Sequence, residues 1–349
     1  MTLQLNGTTG LTFNDGSLQP SAASGKNLII NGNMNIAQRA TSVTGITSGN
    51  LYRTVDRWRS EVTTAGTWSQ SQATDVPPGQ GFATSLKMRC TTADTSLAAA
   101  DKIILGQRFE GFNVQSLAKG TSAAKPITLS FWVKSAKAGT YIVELFDSPN
   151  SRQVSKAYTI DSANTWEYKT ITYPADTTGV FANDNSITLM VQFWLAAGST
   201  YASGTLNTSW AANTNANRAV GQVNLADSTS NYINITGAQL EVGSTATPFQ
   251  HLQYEQQFAL CQRYFYVIPV GAYGFPCPST GGFAYVQRYD FKVSMRASPT
   301  MFWNYASSSN LAAINPYSPN VDYVTVQYVG TTSTNTVWGT AISTADAEI

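Results

Sequence analysis

The sequence predicts an all-β protein: an antiparallel β-sandwich, then a short helical neck, then a smaller β domain. Two kinds of observation point there. Runs such as PITLSFWVKS (126–135) and SITLMVQFWL (186–195) alternate apolar and polar residues with the period of two that a half-buried strand requires. Between them lie turn clusters of Gly, Asn, Asp, Ser and Pro, about eight to ten strands in all, with no long stretch at helical spacing. Composition agrees. Charged residues make up 12% of the 349, about half the usual share, and Thr, Ser, Asn, Gln and Gly take their place. Aromatics at 11% and the regular alternation argue against disorder.

In chain order, residues 1–26 pair Leu3 and Leu5 with Leu11 and Phe13 across GTTG, then turn again at Asn14-Asp15-Gly16. Such a piece is too thin to bury a core alone, so it reads as an attachment segment that docks on another chain. Residues 27–250 form the sandwich. KNLIINGNMNIAQR (26–39) reads as Leu28 and Ile30, an Asn31-Gly32 turn, then Met34 and Ile36, followed by a polar loop and Asp56-Arg57-Trp58. That triplet reads as a Trp packed into the sandwich with Asp and Arg pairing beside it, in preference to a ligand contact. Strands follow at 67–72, 86–90, 103–109, 126–135, 141–146, 166–173 and 186–195; in the strand at 126–135, Trp132 faces away from the apolar row. Residues 198–231 read as a long polar loop. YINITGAQLEV (232–242) closes the sandwich, with Gly237 able to switch its alternation.

The neck, 251–262, places Tyr254, Phe258 and Cys261 at i, i+4 and i+7. These three are expected to be buried, between domains or around a threefold axis. The C-terminal domain, 263–349, carries strand-like runs at 264–270, 282–293, 300–305, 321–329 and 336–342.

Several functions are disfavoured. A net charge of +1 without a Lys/Arg cluster gives no footprint for nucleic acid. No apolar run reaches the roughly 18–20 residues of a membrane helix, and the N-terminus has no secretory pattern, so a soluble chain made in a cytoplasm is expected. Cys90, Cys261 and Cys277 suggest neither a disulfide framework nor a metal pair. The only histidine is His251, and no nucleophile elbow or phosphate loop is present, so no enzyme is read. Asp147, Asp161, Asp176, Asp184 and Asp227 lie in or near turns, where caps are commoner than a glycosidase pair; a structural calcium ion in such loops is the alternative. No other cofactor is expected.

NLIINGNMNIAQR (27–39), DRW (56–58), LSFWVKS (129–135), GAQLEVGSTATPF (237–249) and LCQRYF (260–265) together resemble bacteriophage tail-fibre and related virion appendage proteins that contain a jelly roll like a carbohydrate-binding module. LTFNDGSLQPSA (11–22) and VSMRASPTM (293–301) resemble flanking parts of the same proteins. The resemblance implies a jelly roll over 27–250 and a homotrimer in the virion. It also implies attachment to other tail or baseplate proteins through 1–26, a β tip contacting host surface glycan, and no catalysis. Sugar binding calls for flat aromatic faces beside amides and hydroxyls. Tyr273, Phe275, Trp303, Tyr305, Tyr317 and Trp338, all expected in C-terminal loops, are the candidate contacts, with Trp194, Tyr201 and Trp210 beside the long loop as a rival set. A purely architectural capsid, neck or baseplate fibre or decoration protein is the alternative function, and a polysaccharide depolymerase a third.

Overall fold

Ten long strands build the sandwich in the computed structural model: β1 (Ser42–Tyr52), β2 (Arg59–Ala73), β3 (Ser85–Thr92), β4 (Lys102–Glu110), β5 (Ile127–Ser135), β6 (Gly139–Asp147), β7 (Arg152–Ile160), β8 (Glu167–Tyr173), β9 (Ile187–Ala197) and β10 (Tyr232–Val242). The structure describes residues 27–268, 286–302, 315, 319–327 and 343–349. It also describes the backbone of strands at 4–6, 10–12, 18–19, 273–276, 284–285, 303–309, 311–318, 328–330 and 336–342.

All pairings are antiparallel. The order runs β8-β5-β10-β3-β2 and continues β2-β4-β9-β6-β7, with β1 beside β2. The fifteen-residue β2 joins the two sheets, because residues 59–63 pair with β4 and residues 67–73 with β3. Its change of partner coincides with Thr64 and Gly66 in the left-handed region (φ 49° and 74°). Alternate residues of both sheets meet inside: Leu86, Leu129, Phe131 and Ile235 from the first, Leu105, Val143, Val191 and Phe193 from the second. This is an antiparallel jelly-roll sandwich, as the alternation predicts.

Gly237 does switch the alternation of β10. Ile233 and Ile235 face the core before it, Ala238 and Leu240 after it, and the register with β5 shifts between Thr236 and Gln239. Its φ is +60°, and a Cβ there would lie 2.6 Å from the Phe82 ring.

The 27–39 segment is not a hairpin. Residues 27–41 form no strand, because two asparagines satisfy the backbone in its place. Asn27 accepts from Ile29 N and Leu240 N through Oδ1 and donates to Ala238 O. Asn31, at φ 58°, donates through Nδ2 to the carbonyls of Ile36 and Asp56 and accepts from Ile36 N. Trp58 donates from Nε1 to Asn31 O and is fully buried. The expected polar loop after this segment is in fact β1.

Helix α1 (Tyr254–Gln262) carries the chain onward. Cys261 is sealed with Ile30, Ile36 and Tyr264, and Phe258 is half-buried against them, whereas Tyr254 is 57% exposed and stacks on Phe258. Within one chain, the buried stripe therefore starts at Gln257, not at Tyr254.

The second domain has strands β11 (Phe265–Ile268), β12 (Tyr273–Pro276), β13 (Ala284–Asp290), β14 (Thr300–Ser309), β15 (Leu311–Pro319), β16 (Tyr323–Gly330) and β17 (Thr336–Asp346). β17 pairs with β11, β12 and β14, and β16 lies between β13 and β15. Tyr266, Ile268, Phe291, Met295, Val324, Val326, Ala345 and Ala347 form its described core.

A charged junction joins the domains. Arg57 lies under the Tyr264 ring, donates to Arg108 O at 2.6 Å and pairs with Glu348. Arg39 sits 3.7 Å over the Phe265 ring and pairs with Asp346 at 3.0 Å. Asp56 accepts from Gln38 N, and Gln38 Nε2 also reaches Phe265 O. The Asp-Arg-Trp triplet therefore does pack structurally, and its Arg points toward the second domain. At the N-terminus, the backbone strands 4–6, 10–12 and 18–19 pair in that order, and the side chains of 1–26 lie outside the described residues.

Candidate functional site

The six C-terminal aromatics singled out in the sequence lie on strands and not in loops. Tyr273 and Phe275 belong to β12, Trp303 and Tyr305 to β14, Tyr317 to β15 and Trp338 to β17, so their backbones run in strands; their side chains lie outside the described residues. Pro316 and Pro319 give 311–319 the look of a loop, yet β15 is an edge strand, where proline is tolerated.

Of the rival set, Trp194 and Tyr201 are brought together, with ring centroids 5.3 Å apart, but Trp194 is fully buried. The 198–222 excursion folds over the outer face of the second sheet. Its Arg218 makes a two-pronged pair with Glu144 at 2.9 Å for each bond, and Trp194 Nε1 donates to the same carboxylate. Trp210 is elsewhere, donating to Pro174 O with the Lys119 ammonium 5.1 Å from its ring.

The turn carboxylates are engaged by the protein itself. Asp147 and Asp176 come together, but the buried Lys119 ammonium stands between them, and Arg152 clasps Asp176 at 2.8 and 2.9 Å. An ammonium and a guanidinium occupy the positions a cation would take. Asp161 pairs with Lys169, Asp227 with Lys137, and Asp184 accepts from Ser186. Among the described residues no three His, Cys, Asp or Glu side chains cluster. His251 is exposed and packs on Phe82 and Phe249. Cys90 and Cys261 are buried free thiols, and Cys277 lies outside the described residues.

The outer face of the first sheet offers a different arrangement. On β5 the residues opposite the core are Thr128, Ser130, Trp132 and Lys134, and on β8 they include Tyr168 and Thr170. Tyr168 stands directly across from Trp132, their rings 5.3 Å apart and tilted by 47°, and Tyr168 is 45% exposed. One step along the face, the pairing Lys134↔Asn234↔Lys87 crosses from β5 through β10 to β3. Lys134 donates to Asp75 at 2.8 Å, and Trp166 Nε1 donates to the other oxygen of Asp75 at 3.0 Å. Burial pulls the Asp75 carboxyl up, but hydrogen bonds from Lys134 and Trp166 outweigh it and hold the group below the usual carboxylate range. A further step reaches Tyr232, opposite Arg89, with Lys87 Nζ 4.6 Å from the Tyr232 ring and the Tyr232 hydroxyl donating to Asn164.

This face combines four aromatic rings, two lysines, an arginine, a carboxylate and the exposed Asn164 amide, Asn234 being buried beneath them. Rings present a negative π-face to the slightly positive C–H groups of a sugar, and the polar groups around them can exchange hydrogen bonds with its hydroxyls. The sequence shows each residue singly, Trp132 most plainly because it is out of parity. The strand register brings them together.

No protein-family model and no curated protein matches the chain. Among solved structures, the chain is similar to the enzymatically active domain of tailspike protein 4 of bacteriophage CBA120, with a TM-score of 0.33 and 13% identity over 63% of this chain and 22% of that one. It is similar to a putative sugar-binding protein from Bacteroides thetaiotaomicron, with a TM-score of 0.34 and 11% identity over 62% of this chain and 100% of the other. It is also similar to a structure titled as a CBM4 module, with a TM-score of 0.31 and 13% identity over 61% of this chain and 97% of that one. The chain spans about a fifth of the tailspike chain.

Proposed function

We propose that this protein is a non-enzymatic, glycan-binding component of a bacteriophage virion, a trimeric tail fibre whose sandwich holds host surface polysaccharide on the outer face of its first sheet. The observation that carries the glycan reading is the Tyr168–Trp132 pair, left uncovered beside the Asp75–Lys134–Trp166 group. The virion setting rests on the resemblance of the 27–39, 56–58 and 237–265 motifs. The trimer is supported by Tyr254 and Leu260, which α1 leaves exposed at 57% and 40%, where a second copy would cover them. Residues 1–26 attach the fibre to the rest of the particle.

The test uses the full chain and its Trp132→Ala/Tyr168→Ala variant in affinity electrophoresis through gels holding polysaccharide from candidate hosts. Retardation of the native chain and free migration of the variant, with unchanged circular dichroism, is the expected result. Equal retardation of both moves the site elsewhere, the C-terminal domain being the first place to look. Reducing ends released during incubation contradict the non-enzymatic reading, and a monomer in sedimentation equilibrium contradicts the trimer.

A further inference from the structure

We infer that the glycan held on this face is acidic: a polysaccharide carrying a carboxylate, sulfate or phosphate group at regular intervals. The inference rests on the glycan reading above and adds the charge of the ligand to it.

Charge on the face is unbalanced. Lys87 and Arg89 project from β3 and Lys134 from β5, on either side of β10, and the carboxylate bonded among them is Asp75. Asp75 binds Lys134 directly, and its charge also acts on Lys87 from beyond ion-pair distance, which leaves the three cations in surplus over it. Among the described residues, neither Lys87 nor Arg89 has a carboxylate within 4.0 Å, the ion-pair limit. Lys87 rests over the Tyr232 ring, and Arg89 is exposed on the same side of β3. The surplus does not follow from composition, since the chain has 21 basic and 20 acidic residues. Among the described residues unpaired cations occur elsewhere too, Lys125, Lys156 and Lys292 among them, but Lys87 and Arg89 stand on one strand of the aromatic face, two residues apart and on the same side.

The geometry suits an acid group attached to a stacked ring. Residues two apart on one strand face lie roughly 7 Å apart, and neighbouring strands about 5 Å apart. A sugar stacked on Trp132 and Tyr168 therefore has the Lys87–Arg89 pair one or two residues further along its own chain. A ring-face contact with paired cations at that reach discriminates an acidic sugar from its neutral counterpart by charge, while the aromatic contact is shared by both. Single-stranded nucleic acid also stacks on rings, but it needs a continuous basic track along its backbone, and here the cations outside an ion pair are Lys87 and Arg89 on one strand.

The test measures binding of the full chain by titration calorimetry to polygalacturonate (carboxylate), dextran sulfate (sulfate), a teichoic acid (phosphate), neutral galactan and an oligothymidylate. Three proteins are compared: native, Lys87→Gln/Arg89→Gln and Trp132→Ala/Tyr168→Ala. At least one acidic polysaccharide is expected to bind about tenfold more tightly than galactan at low salt, with the advantage shrinking as salt is raised. Which acidic arm responds identifies the acid group. The Lys87/Arg89 variant loses that advantage, its affinities for acidic and neutral polymers becoming alike, and the aromatic variant loses binding to both.

If galactan binds as well as the acidic polymers and the charge variant behaves as the native chain, the glycan reading survives and this inference falls. If no polysaccharide binds, both fall. Equal binding of oligothymidylate marks general polyanion binding and overturns the inference. Both charge substitutions are at the surface, and an unchanged melting curve separates lost binding from lost fold.

Discussion

The Arg57 guanidinium lies 3.4 Å from the centroid of the Tyr264 ring, a contact that joins the loop of the Asp-Arg-Trp triplet to the turn that ends the neck. Arg57 reaches this place from a left-handed backbone (φ 69°), is 1% exposed and pairs with Glu348 near the end of the second domain. Burial lowers the affinity of Arg57 for its proton, but the Glu348 charge together with Tyr264, Tyr52 and Cys261 outweighs it and leaves the guanidinium above its ordinary range. One side chain thus touches the sandwich, the neck and the second domain.

Removing one partner of a buried pair strands the other in a medium of low dielectric. Arg57→Ala is therefore expected to destabilise the chain by about 3–5 kcal/mol, and Arg57→Ala/Glu348→Ala by less than the sum of the single changes. Denaturant melts of the four proteins give the coupling. Strict additivity would show that the two residues do not interact in solution.

Acid stability should depend on Asp176. Burial raises its pKa, but the hydrogen bonds from Arg152 and Lys119 outweigh that and hold it below the ordinary carboxylate value. The unfolded chain then binds the proton more readily, since a free Asp titrates at about 3.9. The contribution is fully present above that value and is lost as pH falls through the lower, folded value. Asp176→Asn should flatten the stability–pH curve below about pH 4 relative to the native chain. Parallel curves for the two proteins would mean that Asp176 carries no depressed pKa.

Gly237 and Gly79 both have positive φ, +60° and +75°, but they differ in surroundings. An added Cβ at Gly79 meets nothing within 4 Å, whereas at Gly237 it lies 2.6 Å from the Phe82 ring. Gly79→Ala should cost only the backbone strain, about 1 kcal/mol. Gly237→Ala should cost more and should disturb the Phe82–Phe249–His251 cluster, seen as changed near-ultraviolet dichroism. Equal losses at the two positions would show that the bulge tolerates a side chain.

The strands that bury an alternating apolar row were legible, and β5 and β9 lie where LSFWV and ITLMVQF place them. Gly237 announced the change of parity in β10. By contrast, β1 was hidden because it is an exposed partner of β2 whose only buried residue is Ile46. The 27–39 segment misled for the opposite reason: it has strand-like apolar spacing, but Asn27 and Asn31 take the hydrogen bonds a partner strand would have supplied. For the candidate site, Trp132 was visible as an aromatic on the wrong side of its strand. Its neighbours Tyr168, Lys87 and Tyr232 come from strands 36, 45 and 100 positions away in sequence, a separation set by register and not by local pattern.

The proposed glycan face is tested most directly by hydroxyl-radical footprinting of the full chain with and without polysaccharide. Oxidation of Trp132 and Tyr168 is expected to fall several-fold on binding, with Phe112 and Phe302 unchanged as exposed controls. Protection confined to the C-terminal domain, with Trp132 and Tyr168 oxidised as in the free protein, would contradict it.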